Sequence, residues 1–390
     1  GYIGLPTASL LASKGFQVHG VDVNEHAVAL INEGKIHIYE PDLDKLVKRV
    51  VDSESLVAST IPTEADIYIL AVPTPFKDNH KPDLTYVEQA TKAIVPYLKQ
   101  GNIVILESTS PVGTTEKIAQ WILNERTDLT IGEGENRIYV SHCPERVLPG
   151  HILRELIEND RIIGGIDAES TKQTVLFYET FVTGKLLQTS ARTAELAKLT
   201  ENSFRDVNIA FANELSMICD TLDVNVWELI DLANHHPRVN ILQPGPGVGG
   251  HCIAVDPWFI VDAAPEQAKL IYTARTVNDL KPHHVIQQVR EVTKGYTNPR
   301  IACLGIAFKP DIDDLRESPS FDIVKQLSKE NDYILHVVEP NIQQLPSSLD
   351  NKNVSLLNLE QAIIDSDIVL ILVDHTPFKQ VNPELFTNKL

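Results

Sequence analysis

A stretch of about 30 residues near the middle of the chain contains neither glycine nor proline, and it limits the possible folds more than any other feature. It begins at Ser190 and reads SARTAELAKLTENSFRDVNIAFANELSMICDTL. Because glycine and proline are the residues that most often interrupt helices, this stretch predicts one continuous helix of unusual length. Short apolar runs precede and follow it, so we expect the helix to link two α/β domains.

The region before this helix carries short apolar runs of the kind that form parallel strands buried on both faces. The runs, with the loops that follow them, are ADIYILAVPTP (65–75), GNIVILESTSPVGTT (101–115), RIYVSHCPERVLPG (137–150) and DRIIGG (160–165). In an open α/β sheet, ligands bind beyond the carboxyl ends of the strands. We therefore expect the loops VPTP, ESTSPVG and HCPERVLPG to line one crevice.

The first residues, GYIGLP, match the end of the dinucleotide-binding motif G-x-G-x-x-G. Gly1 and Gly4 take the places of its second and third glycines, a helix is predicted from Pro6 to Lys14, and the strand FQVHGVDV ends at Asp22. An acid there hydrogen-bonds the ribose hydroxyls of NAD and disfavours the phosphate of NADP. The pattern predicts NAD as the cofactor. Because the first glycine and its strand are not in the sequence, we expect it to start inside the motif.

Composition agrees with a globular protein and limits its partners. The 390 residues are 43% hydrophobic and 22% charged, and the formal net charge is -19. This negative charge argues against nucleic acid or an anionic membrane as the main partner. No apolar run approaches the length of a membrane-spanning helix, and no secretory signal is visible. We expect a cytoplasmic protein that binds neither nucleic acid nor membrane.

The four cysteines lie far apart in the sequence, form no CxxC pair and are typical of reduced thiols rather than of a disulfide framework. They are Cys143, Cys219, Cys252 and Cys303. Cys252 differs from the others because it follows the glycine-rich GPGVGGH. Glycines let a backbone approach a ligand closely, whereas a structural cysteine needs apolar packing. We therefore predict that Cys252 is presented to a ligand. Adjacent His and Cys residues rarely hold one ion together, so no metal site is expected.

A second α/β pattern begins at about Pro299. RIACLGIAF, YILHVVEP and DSDIVLILVDHTPF predict strands, and KPDIDDLRESPSFDIVKQL predicts a loop followed by a helix. Lys309 and Arg316 precede that helix, where positive charge and a helix N-terminus suit a pyrophosphate group. The region therefore resembles another nucleotide-binding sheet.

Taken in order, the motifs resemble those of the nucleotide-sugar dehydrogenases, the UDP-glucose 6-dehydrogenase superfamily, over essentially the whole chain. The matching segments are GYIGLP, AVPTP, STSPVGTT, CPERVLPG, ELAKLTENSFRDVNIAFANELS, GPGVGGHCIAVDP and AFKPDIDDLRESPS. The variants HCPERVLPGH, NHHPRVNILQPGPGVGGHCIAVDPWFIV and LVDHTPF resemble the branch that acts on UDP-N-acetyl-D-mannosamine. The UDP-glucose branch has phenylalanine and serine where this chain has Arg146 and His251.

The resemblance implies an α/β fold in three parts. These are an N-terminal Rossmann-type NAD domain at 1–188, a central helical dimerisation domain with the cysteine loop at 189–284, and a C-terminal α/β UDP-sugar-binding domain at 285–390. It also implies a homodimer or a larger assembly.

The resemblance further implies that the C6 alcohol of a UDP-sugar is oxidised to a carboxylate with two NAD and one water, supplying an acidic sugar for a surface polysaccharide. The Cys252 thiolate would add to the intermediate aldehyde and give a thiohemiacetal. Loss of hydride from this adduct would give a thioester, which water would hydrolyse.

Site roles follow from the same resemblance. Lys198 and Asn202, at i and i+4 on one helix face, would stabilise the developing oxyanion, and Asp256 would work with them through water as an acid–base group. Thr109 and Glu145 would position that water, with Glu145 as the candidate general base for thioester hydrolysis. Which group takes the first proton stays open.

The binding residues complete the predicted site. Those expected to bind NAD are Gly1, Tyr2, Ile3, Gly4, Asp22, Pro73, Thr74, Thr109 and Arg316. Those expected to bind the substrate are Glu145, Arg146, Val147, Lys198, Asn202, Arg205, Arg238, Gly249 and Lys309. Arg238 would act across a dimer interface on the neighbouring site.

Three alternatives remain open at this point. The same chemistry could act on UDP-N-acetylglucosamine or UDP-glucose. A single-step hydroxyacid dehydrogenase shares the plan of a Rossmann domain and a long helix, but it needs no cysteine at its site. A catalytically inactive nucleotide-sugar-binding protein is the third, and the presence of Lys198, Asn202, Cys252 and Asp256 argues against it.

Overall fold

A computed structural model of the chain describes residues 1, 3–38, 40–77, 80–148, 150–250, 252–330, 332–387 and 389–390. The chain divides into two compact units. The first unit comprises Gly1–Glu201 with Trp258–Ala263, and the second comprises Asn202–Pro257 with Ala264–Leu390. The expected segments 1–188 and 285–390 lie in the first and second units, and the expected central segment 189–284 is divided between them.

The first unit is built of helices and strands. Its elements are α1 (Gly4–Ser13), β1 (Val18–Val21), α2 (Glu25–Asn32), α3 (Leu43–Asp52), β2 (Leu56–Ser59), β3 (Ile67–Leu70), α4 (Thr85–Ile94), β4 (Ile103–Leu106), α5 (Thr114–Glu125), β5 (Tyr139–His142), α6 (Ile152–Glu158), β6 (Arg161–Gly165), α7 (Ala168–Tyr178) and β7 (Leu186–Ser190). β1 pairs with β2, and a five-stranded sheet has the order β3-β4-β5-β6-β7. The strands predicted from the apolar runs are confirmed.

The core of this unit covers the five-stranded sheet on both faces. All four residues of β4 are buried, and they alternate between two apolar clusters. Val104 and Leu106 pack in one cluster, whereas Ile103 and Ile105 pack in the other. Burial on both faces explains why the strands read as continuous apolar runs rather than as alternating patterns.

The prediction of parallel strands is wrong for one pair. β6 runs antiparallel to β5, with His142 opposite Gly164. An apolar run reads the same in either direction, so the sequence pattern does not reveal the reversal. The two glycines of β6 permit close packing, because a Cβ on Gly164 would lie only 2.3 Å from the carbonyl oxygen of Ser190. The reversal places Arg161, the first residue of β6, at the edge where β4 and β5 end.

The predicted long helix is confirmed as α8 (Ala191–Leu222), which has 32 residues and follows β7 directly. The remaining elements are α9 (Val226–Asn234), α10 (Asp256–Ala263), α11 (Lys269–Val292), β8 (Arg300–Leu304), α12 (Pro319–Leu327), β9 (Ile334–Val338), β10 (Val354–Leu356), α13 (Leu359–Ile364) and β11 (Ile368–Ile371). The second sheet is parallel with the order β10-β9-β8-β11. Within the described ranges, no helix is long and apolar enough to cross a membrane.

Candidate active site

The start of α1 is the first part of a possible cofactor site. α1 begins at Gly4, and its first turn has no side-chain cap, although the Leu5 N–H donates to the carbonyl oxygen of Gly1 at 3.3 Å. A Cβ on Gly4 would lie 3.8 Å from the Cβ of Ala71, so the helix packs closely beside the end of β3. A helix N-terminus without a side-chain cap suits an anionic phosphate. Ile3 precedes α1, and the predicted contact Tyr2 lies outside the described residues.

Asp22 follows β1, as the sequence predicted. Its Oδ1 accepts the backbone N–H of Asn24 at 2.9 Å, and about a third of the side chain is exposed. Since a carboxylate can accept several hydrogen bonds, Asp22 can still bind ribose hydroxyls. The uncapped helix start and this carboxylate fit an NAD molecule.

The loops after β3 and β4 are bound to each other. The Thr74 hydroxyl donates to the carbonyl oxygen of Thr109 at 2.5 Å, and the Ser108 hydroxyl donates to the carbonyl oxygen of Val72 at 2.5 Å. Pro73, next to Thr74, is exposed. Two of the three predicted crevice loops therefore lie together at the carboxyl ends of neighbouring strands.

Glu195, on α8, binds the start of α5 and was missed by the sequence analysis. Its carboxylate accepts the N–H of Gly113 at 2.6 Å and both the N–H and the hydroxyl of Thr115, at 2.7 Å and 2.6 Å. The side chain is almost fully buried, and this burial raises its pKa. Glu195 thereby fixes the STSPVGTT segment, which carries Thr109, against the helix that carries Lys198.

The positive charge of Lys198 acts on Glu145 in the first unit. Burial raises the pKa of Glu145 to about 6, and the positive charge of Lys198 partly opposes this rise. The carboxylate also accepts the N–H of Val147. A carboxylate that titrates near neutral pH is a suitable general base.

Arg146, a predicted substrate contact, is held by the protein itself. Its guanidinium binds Glu201 at 2.7 Å and donates to the carbonyl oxygen of Asp160 at 3.0 Å. These contacts orient the loop that also carries Glu145 and Val147. Any substrate contact of Arg146 would add to this pairing.

A group of buried charged side chains lies beside Glu145, and the sequence analysis did not single it out. Glu107 follows β4 and is 1% exposed, and neither of its carboxylate oxygens has a hydrogen-bond partner in the described chain. Arg161 Nη1 lies 3.8 Å from Glu107 Oε1. The Glu145 N–H donates to the backbone carbonyl of Glu107 at 3.3 Å. Burial raises the pKa of Glu107 to about 7, and the charge of Glu145 adds to this rise while Arg161 opposes it.

Cys252, Asp256 and Asn202 lie together in the second unit. Cys252 is exposed and begins a tight turn in which its carbonyl oxygen accepts the N–H of Asp256 at 2.9 Å. Asp256 is 4% exposed, and its Oδ2 accepts the side-chain amide of Asn202, itself 5% exposed, at 2.5 Å. One turn therefore joins the thiol to a buried carboxylate that α8 holds. His251 lies outside the described residues.

The other three cysteines, Cys143, Cys219 and Cys303, are buried. Burial raises the pKa of Cys303 to about 12 and also raises that of Cys143. The reactive form of cysteine is the thiolate, so these two thiols are inert. Cys252, which the sequence predicts to be presented to a ligand, is exposed.

The glycine loop contacts the segment that carries Lys309. A Cβ on Gly249 would lie 2.4 Å from the carbonyl oxygen of Glu317 and 2.9 Å from the Cβ of Phe308. Only glycine allows this approach. Lys309, next to Phe308, is half-buried, so the structure brings the predicted contacts Gly249 and Lys309 to neighbouring segments.

Several backbone N–H groups around the segment of Lys309 and Arg316 are bound by the protein's own side chains. The N–H groups of Ile306 and Ala307 donate to Glu339 Oε2 at 2.9 Å and 3.0 Å. The Ser318 hydroxyl caps α12, and Arg316 is exposed and binds Asp314 through two hydrogen bonds. A pyrophosphate site at the start of this helix, with Lys309 and Arg316 beside it, stays a prediction.

Two predicted arginine contacts lie on exposed positions. Arg205 is on α8, three residues after Asn202, and Arg238 is in the turn after α9.

The described part of the chain has no group of three His, Cys, Asp or Glu side chains that could hold a metal ion.

Comparisons with known proteins agree with this geometry. Three domains of the UDP-glucose/GDP-mannose dehydrogenase family match the chain. They are the NAD binding domain at residues 1–182, the central domain at 192–280 and the UDP binding domain at 302–390. UDP-N-acetyl-D-mannosamine dehydrogenase of Campylobacter jejuni is 60% identical over 98% of this chain and 96% of its own length.

Two further proteins extend the comparison. NDP-N-acetyl-D-galactosaminuronic acid dehydrogenase of Ralstonia nicotianae is 58% identical over 100% of this chain and 92% of its own length. A solved structure of the UDP-N-acetyl-mannosamine dehydrogenase from Staphylococcus aureus is similar with a TM-score of 0.89 and 43% identity, covering 100% of this chain and 91% of that one.

Proposed function

Because the chain belongs to the UDP-glucose/GDP-mannose dehydrogenase family, we propose that it oxidises C6 of UDP-N-acetyl-D-mannosamine to the carboxylate of UDP-N-acetyl-D-mannosaminuronate. The observation that carries the chemistry is the exposed Cys252, joined by one turn to the buried Asp256 and through it to Asn202. The relatives named for N-acetylmannosamine support this sugar.

Covalent catalysis explains why a thiol is present. The first oxidation turns the C6 alcohol into an aldehyde and releases a proton. Cys252 Sγ then adds to the aldehyde carbon, and the resulting thiohemiacetal loses hydride and a proton to become a thioester. Water cleaves the C–S bond, which returns the thiol and releases the acid. NAD supplies the hydride acceptor in both oxidations.

The remaining groups stabilise charge and move protons. Lys198 and Asn202 would stabilise the oxyanion that forms at C6 in each step. Asp256, held by Asn202, would exchange a proton with this oxyanion through water. Glu145 would take the proton of the hydrolytic water, which Thr109 would help to place, because its pKa of about 6 leaves it ionised at neutral pH.

Binding roles follow the same division. Gly1, Ile3 and Gly4 would contact the phosphates of NAD, Asp22 its ribose, and the loop of Pro73, Thr74 and Thr109 the remainder, with Arg316 as a further contact. The substrate would contact Arg146, Val147, Arg205, Arg238, Gly249 and Lys309 in addition to the catalytic groups.

A panel of substrates tests the proposal. UDP-N-acetylmannosamine, UDP-N-acetylglucosamine, UDP-N-acetylgalactosamine, UDP-glucose and a small 2-hydroxy acid are each incubated with NAD, while absorbance follows NADH and mass spectrometry identifies the product. We expect the highest kcat/KM for UDP-N-acetylmannosamine and a product with a C6 carboxylate. A preference for the galactosamine sugar would instead match the Ralstonia relative. Turnover of the hydroxy acid alone would contradict the proposal.

The exposed face of α8 supports the proposal of a homodimer or larger assembly. Phe204, Phe211 and Ile218 recur every seven residues and are 69%, 56% and 45% exposed, and Leu222 is 66% exposed. An apolar stripe of this size is a typical contact between subunits. Sedimentation should show at least a dimer, and Phe211→Asp should weaken it. A monomer at micromolar concentration would contradict this.

The proposed action of Arg238 across the interface has its own test. Arg238→Ala and Cys252→Ala subunits are mixed under conditions that exchange subunits. If each active site needs Arg238 from the neighbouring chain, a heterodimer has one intact site and activity returns. Absence of activity after verified exchange would show that the arginine is not shared.

A further inference from the structure

The helix α8 carries buried polar side chains along one face. Asn202, Asp206, Asn213 and Ser216 are 5%, 0%, 0% and 6% exposed. Their spacing of about three to four residues, or multiples of it, places them on the same side of the helix. Buried polar groups destabilise a protein unless they form hydrogen bonds. The partners of these groups therefore show what this face of α8 organises.

A hydrogen-bond network joins this face to α11. Asn213 Nδ2 donates to Asn278 Oδ1 at 2.8 Å, and Asn278 Nδ2 donates to Asp206 Oδ1 at 2.8 Å. Arg275 Nη1 donates to the same oxygen of Asp206 at 2.6 Å. All four side chains are buried. The network orients the amide of Asn213, because its nitrogen is committed to Asn278.

The oxygen of that amide binds the cysteine loop. Asn213 Oδ1 accepts the backbone N–H of Gly245 at 2.9 Å. Gly245 opens the glycine-rich segment that leads to Cys252. The Asn213 side chain therefore hydrogen-bonds α11 through its amide nitrogen and the loop through its amide oxygen.

The far end of the same loop is also bound to α8. Asn202 holds Asp256 at 2.5 Å, four residues after Cys252. Asn202 and Asn213 are eleven residues apart, which is about three turns, so both face the loop from one rigid helix. Two asparagines on one helix face therefore fix the two ends of the segment that carries Cys252.

The loop has little room to move between these ends. A Cβ on Gly247 would lie 2.9 Å from the Cβ of Pro319 and 3.2 Å from the carbonyl oxygen of Asn278. Gly247 is therefore closely packed two residues after Gly245, which constrains this part of the loop as well.

We propose that Asn213 is a positioning residue for Cys252: it holds the amino-terminal end of the cysteine loop at a fixed distance from Asn202 and Asp256. This inference rests on the proposed role of Cys252 as the nucleophile. Asn213 touches neither substrate nor cofactor in this account, and its effect passes through the backbone of Gly245. Loss of the contact should change how the thiol is placed, while the affinity for NAD and the ionisation of the base stay the same.

The first test compares Asn213→Ala with Ser216→Ala. Ser216 lies on the same face and accepts a hydrogen bond from the buried Lys281 at 2.7 Å, but it does not contact the loop. Both variants leave a buried polar group without its partner, so both should lose stability. We expect kcat to fall about 100-fold in Asn213→Ala, as a displacement of about 1 Å in an active site can cause. The KM for NAD and the pH of the acid limb should not change, and Ser216→Ala should keep a kcat close to that of the wild type.

The second test removes the other side of the same hydrogen bond and applies even if Asn213→Ala does not fold. Gly245→Pro lacks the N–H that Asn213 accepts, whereas Gly245→Ala keeps it and adds a methyl group where no atom lies within 4 Å. Gly245→Pro should lower kcat and change the rate at which iodoacetamide alkylates Cys252, and Gly245→Ala should do neither. In the double variant Asn213→Ala/Gly245→Pro the two losses should not add.

The outcomes separate this inference from the proposed function. Equal kcat in Asn213→Ala and Ser216→Ala, or in Gly245→Pro and Gly245→Ala, would overturn the positioning role, even if alkylation of Cys252 abolished wild-type activity. Full wild-type activity after complete alkylation of Cys252 would contradict the nucleophile itself.

Discussion

The pocket around Glu107 in the first unit and the network around Asn213 in the second unit both bury polar side chains, but they treat them differently. Neither carboxylate oxygen of Glu107 has a hydrogen-bond partner in the described chain, and Arg161 stays 3.8 Å away. In the network, the hydrogen bonds that join Asn213 to Asn278 and Gly245, and Asp206 Oδ1 to Asn278 and Arg275, measure 2.6–2.9 Å. The first region leaves both oxygens of a buried carboxylate without hydrogen bonds, whereas the second joins its side chains by hydrogen bonds.

The difference indicates two ways of preparing a side chain for chemistry. Burial moves a pKa, as it raises that of Glu107 to about 7 and that of Glu145 to about 6. The hydrogen bonds of the uncharged Asn213 side chain fix a position. We infer that the first unit holds groups adjusted to exchange protons near neutral pH, and that the network of the second unit holds the loop that carries Cys252 in place.

The largest expected effect is on the network. Arg275→Met would leave Asp206, which is 0% exposed, without its cationic partner. Breaking a buried ion pair on one side typically costs about 3–5 kcal/mol in the free energy of unfolding. Urea unfolding at pH 7 measures this loss.

The matched control for that change is Arg275→Met/Asp206→Asn, which removes both charges but still accepts the amide of Asn278. It should recover most of the lost stability. Recovery would show that an unpaired charge, rather than lost packing, causes the loss, and equal stability of the single and double variants would contradict that reading.

In the first unit, removal of the buried charge of Glu107 should raise the free energy of unfolding rather than lower it. The pKa of Glu107 is about 7 in the folded protein and 4.5 ordinarily, so the folded state binds more protons between these values. Stability therefore falls as pH rises through this range, and ionisation of Glu107 costs up to about 3 kcal/mol above it. Glu107→Gln should be more stable than the wild type at pH 8, and this difference should fade below pH 5. A variant less stable than the wild type at pH 8 would contradict the comparison.

Glu107→Gln should also simplify the pH–rate profile. Since Glu107 and Glu145 repel each other when both are ionised, they should titrate as a coupled pair with two overlapping steps on the acid limb. The variant should show one step near pH 6. An acid limb that keeps two steps would mean that Glu107 does not influence the base.

Two buried histidines give a smaller contrast. Burial lowers the pKa of His142, at the end of β5, to about 3, whereas both ring nitrogens of His375 are hydrogen-bonded, to Asp311 and Glu339. Below its ordinary pKa of about 6.5, His142 is protonated only in the unfolded state, so stability is lost as pH falls, by about 2 kcal/mol between pH 7 and pH 5. His142→Leu should reduce this loss.

His375→Leu is the comparison for that variant. It should lower stability already at pH 7, because it leaves the N–H of Asp311 and the carboxylate of Glu339 without their partner. The loss of stability between pH 7 and pH 5 should persist in His375→Leu. An unchanged loss in His142→Leu would show that another group causes the acid sensitivity.

The smallest expected effect concerns Asp22, a first-unit carboxylate outside the buried pocket. Asp22→Ser/Val23→Arg removes the negative charge and adds a positive one at a position that is 92% exposed. The ratio of kcat/KM for NADP to that for NAD should rise about tenfold, with no shift of the acid limb. Val23→Arg alone should raise this ratio by a smaller factor. An unchanged ratio would mean that another group contacts the ribose.

Much of the fold could be predicted because it depends on local pattern. The absence of glycine and proline predicted α8, and runs such as that of β4 predicted buried strands. The helix α11 was missed because Pro282 interrupts its pattern, although the helix continues through it. The direction of β6 was missed because apolar runs carry no directional signal.

The candidate site could be predicted only where a residue stands in a distinctive local context. Cys252 after a glycine-rich loop and Asp22 at a strand end are such cases. Asn213 is one of several polar residues in a long helix, where a solvated position is the ordinary expectation, and Glu107 is an acid at a strand end. Their importance depends on burial and on partners such as Asn278 and Arg161, which are distant in the sequence and are brought close only by the fold.

The most direct test of the account is the number of NADH formed per molecule of UDP-sugar, measured together with the state of Cys252. The wild type should form two NADH and release no aldehyde that a carbonyl reagent can trap. Cys252→Ala should form at most one NADH, slowly, and release aldehyde, and Cys252→Ser should accumulate a sugar-nucleotide adduct on the GGHCIAVDP peptide at position 252, seen by mass spectrometry. Two NADH per substrate from Cys252→Ala, at a rate near that of the wild type, would contradict the account.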